Sequence, residues 1–220
     1  SSGLVGSEMC IRDSYMEGTK YLANWFPSDG AMDVVTAAGD TDWATCKDTR
    51  KSVVCGVVRV GGCNIVSYVR TQNIQAHSSG EAEYYGQASV AAEMILVRRV
   101  LDWLGYPTRM ELECDSTAAI GISHRLGVGR IKQLEVKTLW LQQFVKGRPN
   151  GEKIEQYKVD TKFQKADIGT KIHGQARLAF LLERNNLFVF DDFMEVPEIK
   201  ACLVPSAITM KLGVVVGSVS

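Results

Sequence analysis

The stretch Ser78-Ser79-Gly80-Glu81-Ala82-Glu83-Tyr84-Tyr85 opens a helical pattern that runs to Leu104, and it constrains the fold more than any other feature. Gly105 follows the last periodic residue and Pro107 stands just beyond, the usual stop signals of a helix. Most positions between are apolar, among them Tyr84, Tyr85, Val90, Met94, Ile95, Val97 and Leu101. A helix that is apolar on nearly every side is buried, so this one is expected at the centre of the core. Its polar exceptions, Glu83, Gln87 and Arg98, fall within one narrow strip at about 100° per residue. A carboxylate at the start of a buried helix is costly, which makes Glu83 the first candidate for function. The plain alternative is a solvated first-turn carboxylate favoured by the helix dipole. Glu81 has a different task open to it. Ser78 and Glu81 have capping-box spacing, in which the serine takes a backbone N–H and the glutamate reaches back.

Around this helix the chain reads as alternating strands and helices. Residues 33–40 and 53–60 form two small, β-branched strands, and Gly61-Gly62 is a hairpin signal leading into a third strand over 64–70. Met110, Leu112 and Cys114 alternate with Glu111 and Glu113 in a fourth strand that ends at Asp115. Ser116 can cap a short helix, residues 134–146 form another, 154–159 a fifth strand, and a helix begins near Gln164. Hairpins followed by crossovers imply an antiparallel meander joined to parallel strands: a mixed five-stranded sheet flanked by helices, of the α/β class.

The length suits one domain with extensions, placed at 33–185. Residues 1–14 have no period and resemble a translated adapter; 15–32 read as a connection to a preceding region, and 186–220 as a tail without an assigned role. The formal net charge is zero, so overall charge names no partner. Between Gly121 and Gln175, however, eleven Lys/Arg face five Asp/Glu, a basic bias compatible with nucleic acid or with a solvated face. The six cysteines have neither C-x-x-C nor zinc spacing and read as reduced thiols of an intracellular protein. No apolar run approaches the ~20 residues of a membrane helix.

Asp40 ends the first strand, Glu83 begins the central helix, Asp115 ends the fourth strand and Asp167 begins a later helix. In open α/β sheets the functional crevice lies at strand ends and helix starts. Four carboxylates meeting there repel one another unless cations neutralise them, and the hard ion suited to such oxygens is Mg²⁺. Two such ions ~4 Å apart serve phosphodiester hydrolysis, which is nuclease chemistry.

Five segments in order carry a resemblance: Asp40-Thr41-Asp42-Trp43-Ala44, Asp48-Thr49-Arg50-Lys51-Ser52, the Ser78–Tyr84 stretch, Leu112-Glu113-Cys114-Asp115-Ser116, and Gln164-Lys165-Ala166-Asp167-Ile168-Gly169-Thr170-Lys171. Together they resemble the ribonuclease H domain of copia-type LTR retrotransposon polyproteins, over roughly residues 15–172. Tyr15-Met16-Glu17-Gly18-Thr19 resembles the end of the preceding reverse transcriptase region. The resemblance implies a ribonuclease H-like fold that cleaves the RNA strand of RNA–DNA hybrids. It implies Asp40, Glu83, Asp115 and Asp167 as catalytic, metal-binding carboxylates for two Mg²⁺ ions, with Mn²⁺ as a substitute. The partners implied are the hybrid and the reverse transcriptase portion of the same polyprotein, in a cytoplasmic particle or the nucleus and without a membrane. Arg125, Arg130, Lys132 and Lys137 would then hold backbone phosphates. The alternative is a catalytically inactive remnant that binds nucleic acid or serves structurally. Two departures stand out. Lys132-Gln133-Leu134-Glu135 replaces the family's Lys-His-Ile-Asp, and no histidine lies between Tyr157 and Asp167. Asp42 shares a strand face with Asp40, as an outer ligand or simply a polar residue. His77, His124 and His173 have no partner pattern.

Overall fold

Seven strands and four α-helices follow from these patterns among the described residues. A computed structural model of the chain describes residues 22–26, 31–46, 48–129 and 134–189. In chain order the strands are β1 (Leu22–Asn24), β2 (Val34–Asp42), β3 (Val53–Val60), β4 (Cys63–Thr71), β5 (Arg109–Cys114), β6 (Ile154–Lys158) and β7 (Leu187–Val189). The helices are α1 (Ser79–Trp103), α2 (Thr117–Ser123), α3 (Trp140–Lys146) and α4 (Gln175–Arg184). The chain divides into two compact units. One contains β1 and β7, which pair antiparallel as a short two-stranded ribbon. The other, Phe26–Asn186, holds everything else.

In that larger unit the sheet order is β4-β3-β2-β5-β6. The β2–β3 and β3–β4 pairs are antiparallel, with Asp40 opposite Cys55. The β2–β5 and β5–β6 pairs are parallel, with Ala37 opposite Leu112 and Leu112 opposite Gln156. This is the mixed five-stranded sheet expected from the sequence, an antiparallel meander joined to parallel strands. Its middle strands are buried on both faces, which is why they read as near-continuous apolar runs.

α1 crosses one face of the sheet. Tyr84, Val90 and Met94 are fully buried there with Val35, Val58, Leu112, Leu141 and Ile154. The approach is close because Gly86 faces β2: a Cβ at that position would collide with Thr41 Oγ1. On the opposite face, Ala38, Cys55 and Val57 pack with Ala166, so the segment carrying Asp167 lies against β2 and β3. Buried amides pin β2 from both sides. Gln87 of α1 donates to the Gly39 carbonyl at 3.0 Å, and Gln164 donates to the same oxygen at 3.1 Å. Gln87, a polar exception on the helix, thus locks the residue before Asp40.

The sequence reading needs correction in three places. Residues 134–146 are not one helix: a 3₁₀ turn, Val136–Thr138, precedes α3. Thr138 Oγ1 bonds the Glu135 carbonyl and Leu139 N–H reaches only Val136, which closes the tighter turn. The helix near Gln164 is a 3₁₀ segment, Lys165–Gly169, and the α-helix follows it as α4. The short ribbon β1–β7 was not foreseen. Residues 1–14, most of the 186–220 tail, and Arg130 and Lys132 lie outside the described residues. Among the described residues no helix is long and apolar enough to cross a membrane.

Candidate active site

Asp40 sits near the end of β2, where strand pairing buries it to 2% exposure. Glu83 projects from the first turns of α1, whose start is fixed by Ser78 Oγ accepting the Glu81 N–H at 3.2 Å. Two further bonds hold this end of the helix in place. Trp43 Nε1 donates to the Ala76 carbonyl, and Gln72 Nε2 to that of Ala82. Asp115 follows β5 directly, and Ser116 caps α2 through the Ala119 N–H. The carboxylate oxygens of Asp40, Glu83 and Asp115 come within 4.8 Å of one another.

This proximity has an electrostatic cost. Burial pushes the Glu83 carboxyl up to about 8, and the charges of Asp40 and Asp115 add to the rise, while a backbone bond from Thr41 opposes it. Burial also raises Asp40; the Thr170 hydroxyl and Lys171 lower it, and Asp115 and Asp167 raise it. Glu83 Oε2 is buried without a hydrogen-bond partner. An unpaired carboxylate oxygen facing two more carboxylates is a donor set that a hard divalent cation satisfies. The residues therefore fit the ion implied by the resemblance.

Asp167 stands apart from the group of three. Its carboxylate is taken by Lys171 Nζ at 2.5 Å and by Arg177 at 2.9 Å. Burial weakens its acidity, but hydrogen bonds from Lys171 and Arg177 outweigh this and hold the carboxyl below the usual carboxylate range. The link to the other three runs through Lys171, 3.6 Å from Asp40 Oδ2, and through Thr170, which donates to that oxygen. His173 Nε2 hydrogen-bonds the Asp167 carbonyl oxygen at 2.7 Å, which ties the ring to the backbone of the turn. Asp42 is half-buried at the end of β2 and is not among the three. The sequence reading missed Thr170, Lys171 and Arg177. The first two were legible as part of the Gln164–Lys171 segment; Arg177 was hidden in a helix that had not been recognised.

Of the four cations expected to hold phosphates, Arg125 donates to the Val128 carbonyl within its own loop, and Lys137 pairs with Glu135 at 3.2 Å. Closer to the carboxylates is Lys158, exposed, with Nζ on the Asp115 carbonyl. Lys162 is also exposed, and its own carbonyl accepts from Arg177.

The Retrovirus-related Pol polyprotein from transposon TNT 1-94 of Nicotiana tabacum is 29% identical over 145 residues, covering 65% of this chain and 11% of that protein. The chain is a homologue of retrotransposon Pol polyproteins. An uncharacterized mitochondrial protein of Arabidopsis thaliana is 36% identical over 81 residues, 36% of this chain and 33% of that protein. The chain thus spans only between a tenth and a third of the length of these curated relatives. No family model matches. Among solved structures, the N-terminal ribonuclease H domain of a Mycobacterium tuberculosis protein, fused to maltose binding protein, aligns with a TM-score of 0.45 at 13% identity. It covers 69% of this chain and 97% of that one. LC11-RNase H1 in complex with RNA/DNA hybrid aligns with a TM-score of 0.43 at 12% identity, covering 61% of this chain and 92% of that one.

A metal-free chain carries a signature of this cluster. A carboxyl whose folded acidity is weakened contributes stability fully below its unfolded value and loses it as pH rises through the folded one. For Glu83 that window runs from 4.5 to about 8. The melting temperature of the chelator-treated chain is expected to fall across this window, and Mg²⁺ to flatten the fall. Glu83→Gln should remove most of the slope. Melting curves that ignore both pH and Mg²⁺ would show that the three carboxylates do not interact.

Proposed function

We propose that the chain is a metal-dependent endonuclease that hydrolyses the RNA strand of RNA–DNA hybrids during retrotransposon reverse transcription. The observation that carries this reading is the convergence of Asp40, Glu83 and Asp115 on a homologue of Pol polyproteins, with Glu83 Oε2 left unpaired. Asp40, Glu83 and Asp115 would hold Mg²⁺, or Mn²⁺ in its place, and Asp167 would join them for a second ion. Bound there, the cations supply charge stabilisation to the attacking and leaving oxygens of a phosphodiester. The chain's own part is positional. Gln87 and Gln164 fix the backbone beside Asp40, the capped start of α1 fixes Glu83, and Ser116 fixes the turn at Asp115. Burial keeps the site low in dielectric, so these fixed charges act strongly.

Lys158, exposed with Nζ on the Asp115 carbonyl, and the exposed Lys162 would contact substrate phosphates without sequence preference. Selectivity for a hybrid would come from A-form-like shape and the 2′-hydroxyl. The reverse transcriptase portion of the same polyprotein would be the covalent partner, in a cytoplasmic particle or the nucleus. The test is incubation of the chain with labelled hybrid, duplex DNA and duplex RNA in Mg²⁺ or Mn²⁺. Cleavage of the hybrid's RNA strand alone is expected. Binding without cleavage in either ion is the outcome for an inactive remnant.

Hybrid binding should weaken steeply with salt, because each phosphate neutralised releases counterions. Lys158→Ala with Lys162→Ala is expected to flatten the slope of log affinity against log salt by about two units. An unchanged slope would place the phosphate contacts elsewhere on the surface.

A further inference from the structure

We propose that Lys171 is a built-in counter-ion for Asp40 and Asp167, and that it excludes a second divalent cation until it withdraws; this rests on the metal-dependent reading above. The acidic site has two unlike halves. In one, Glu83 and Asp115 meet Asp40 without an ion pair of their own among the described residues, Lys171 acting on them only from a distance: Glu83 Oε2 has no partner, and Lys158 reaches only the backbone carbonyl of Asp115. In the other half, the Lys171 ammonium lies 2.5 Å from Asp167 Oδ1 and 3.6 Å from Asp40 Oδ2. Arg177 takes the remaining oxygen of Asp167 at 2.9 Å.

An ammonium shared by two carboxylates does electrostatically what a small cation would do there. It cancels their repulsion, and it repels any second positive charge brought to the same oxygens. A first divalent ion therefore meets the less compensated half, where Glu83 and Asp115 join Asp40. A second ion using Asp40 and Asp167 together has to displace Lys171.

The two basic residues are suited to different tasks. The Lys171 side chain is 44% exposed, so its flexible stem can carry the ammonium into water at little cost. Arg177 is less exposed, and it also donates to the carbonyls of Lys162 and Thr161. That planar fork keeps Asp167 in place after Lys171 has left. Lys171 is thus a positioning residue whose removal makes metal loading easier, the opposite of what loss of a structural prop would do.

The test is titration of Mn²⁺ into the metal-free full chain, read by calorimetry and by counting bound ions with electron paramagnetic resonance. Lys171→Met removes the charge, and Lys171→Gln removes it while keeping a hydrogen-bond donor for Asp167. The parent chain is expected to bind one Mn²⁺ well and a second far more weakly. Both variants should bind the second ion about tenfold or more tightly, the scale for losing one competing charge at a partly exposed carboxylate pair. Their metal-free melting temperature should fall and be regained with Mn²⁺, whereas Lys171→Arg should behave as the parent does. If Lys171→Met does not fold, Lys171→Gln decides alone. Parent binding of Mn²⁺ with no gain, or a loss, in a folded variant overturns the role of Lys171 and leaves the metal site standing. Two equally tight ions in the parent would overturn it as well. Absence of Mn²⁺ binding by the parent and both variants would overturn the metal-dependent reading itself, and this role with it.

Discussion

Glu83→Gln is expected to remove nearly all Mg²⁺-dependent cleavage of an RNA–DNA hybrid while the chain still folds and still binds the hybrid. Gln is isosteric, so the Thr41 bond and the packing of α1 survive. What is lost is a charge needed to hold a divalent ion among three carboxylates. The drop should be about 10²-fold or more, the scale for removing one preorganised electrostatic group from a catalytic site. Asp115→Asn should behave alike, since it belongs to the same group of three. In the absence of metal, Glu83→Gln should melt no lower than the parent at pH above about 8, because it no longer buries an ionised carboxylate beside two others. Hybrid cleavage rates and chelator-treated melting curves on the same preparations check both halves. A Glu83→Gln chain that cuts at the parental rate would remove Glu83 from the site.

The three carboxylates that converge leave a trace in the sequence because each stands near a change of element. Asp40 and Asp115 come where apolar alternation stops, and Glu83 comes where a capped helix begins. Such punctuation is local and leaves a trace in spacing. The mixture of antiparallel and parallel pairing was legible for a related reason: the Gly61-Gly62 hairpin makes its strands antiparallel neighbours, and the long α1 crossover goes with parallel pairing of β5. The arrangement around Asp167 left no such trace. Its Lys171 and Arg177 partners are ordinary basic residues in a basic half of the chain, and only the turn at Lys165–Gly169 brings them onto one carboxylate. Spacing also misjudged the 134–146 segment. Apolar positions at Leu134, Leu141 and Val145 suit a helix, but the Thr138 side chain bonds back to Glu135 and tightens the first turn.

Glu81→Ala is expected to be among the most destabilising single substitutions near the site, although Glu81 is not one of the three clustered carboxylates. Capping-box spacing suggests a solvent-exposed cap worth about 1 kcal/mol. The structure places Glu81 differently: it is 1% exposed and accepts two bonds. His77 N–H donates to Oε2 at 3.0 Å, so the glutamate reaches one residue further back than the Ser78 N–H of a standard capping box. Tyr85 Oη donates to Oε1 at 2.7 Å, and that hydroxyl in turn accepts the Glu135 N–H at 3.1 Å. Glu81 therefore ties the loop before α1 to the segment that leads into α3. Truncation to Ala would leave a backbone N–H and a buried phenol unpaired and open a cavity, for a loss of about 2–4 kcal/mol. In a chain of this size that lowers the melting temperature by roughly 5–15 °C. Glu81→Gln can keep the His77 bond, but its amide group cannot accept from Tyr85, so about 1 kcal/mol should go. Cleavage per folded molecule should stay near the parental value in Glu81→Gln, in contrast to Glu83→Gln two residues away. Thermal melts combined with active-fraction-corrected cleavage rates separate the two glutamates. If Glu81→Gln were inactive while fully folded, the metal site would have to include Glu81.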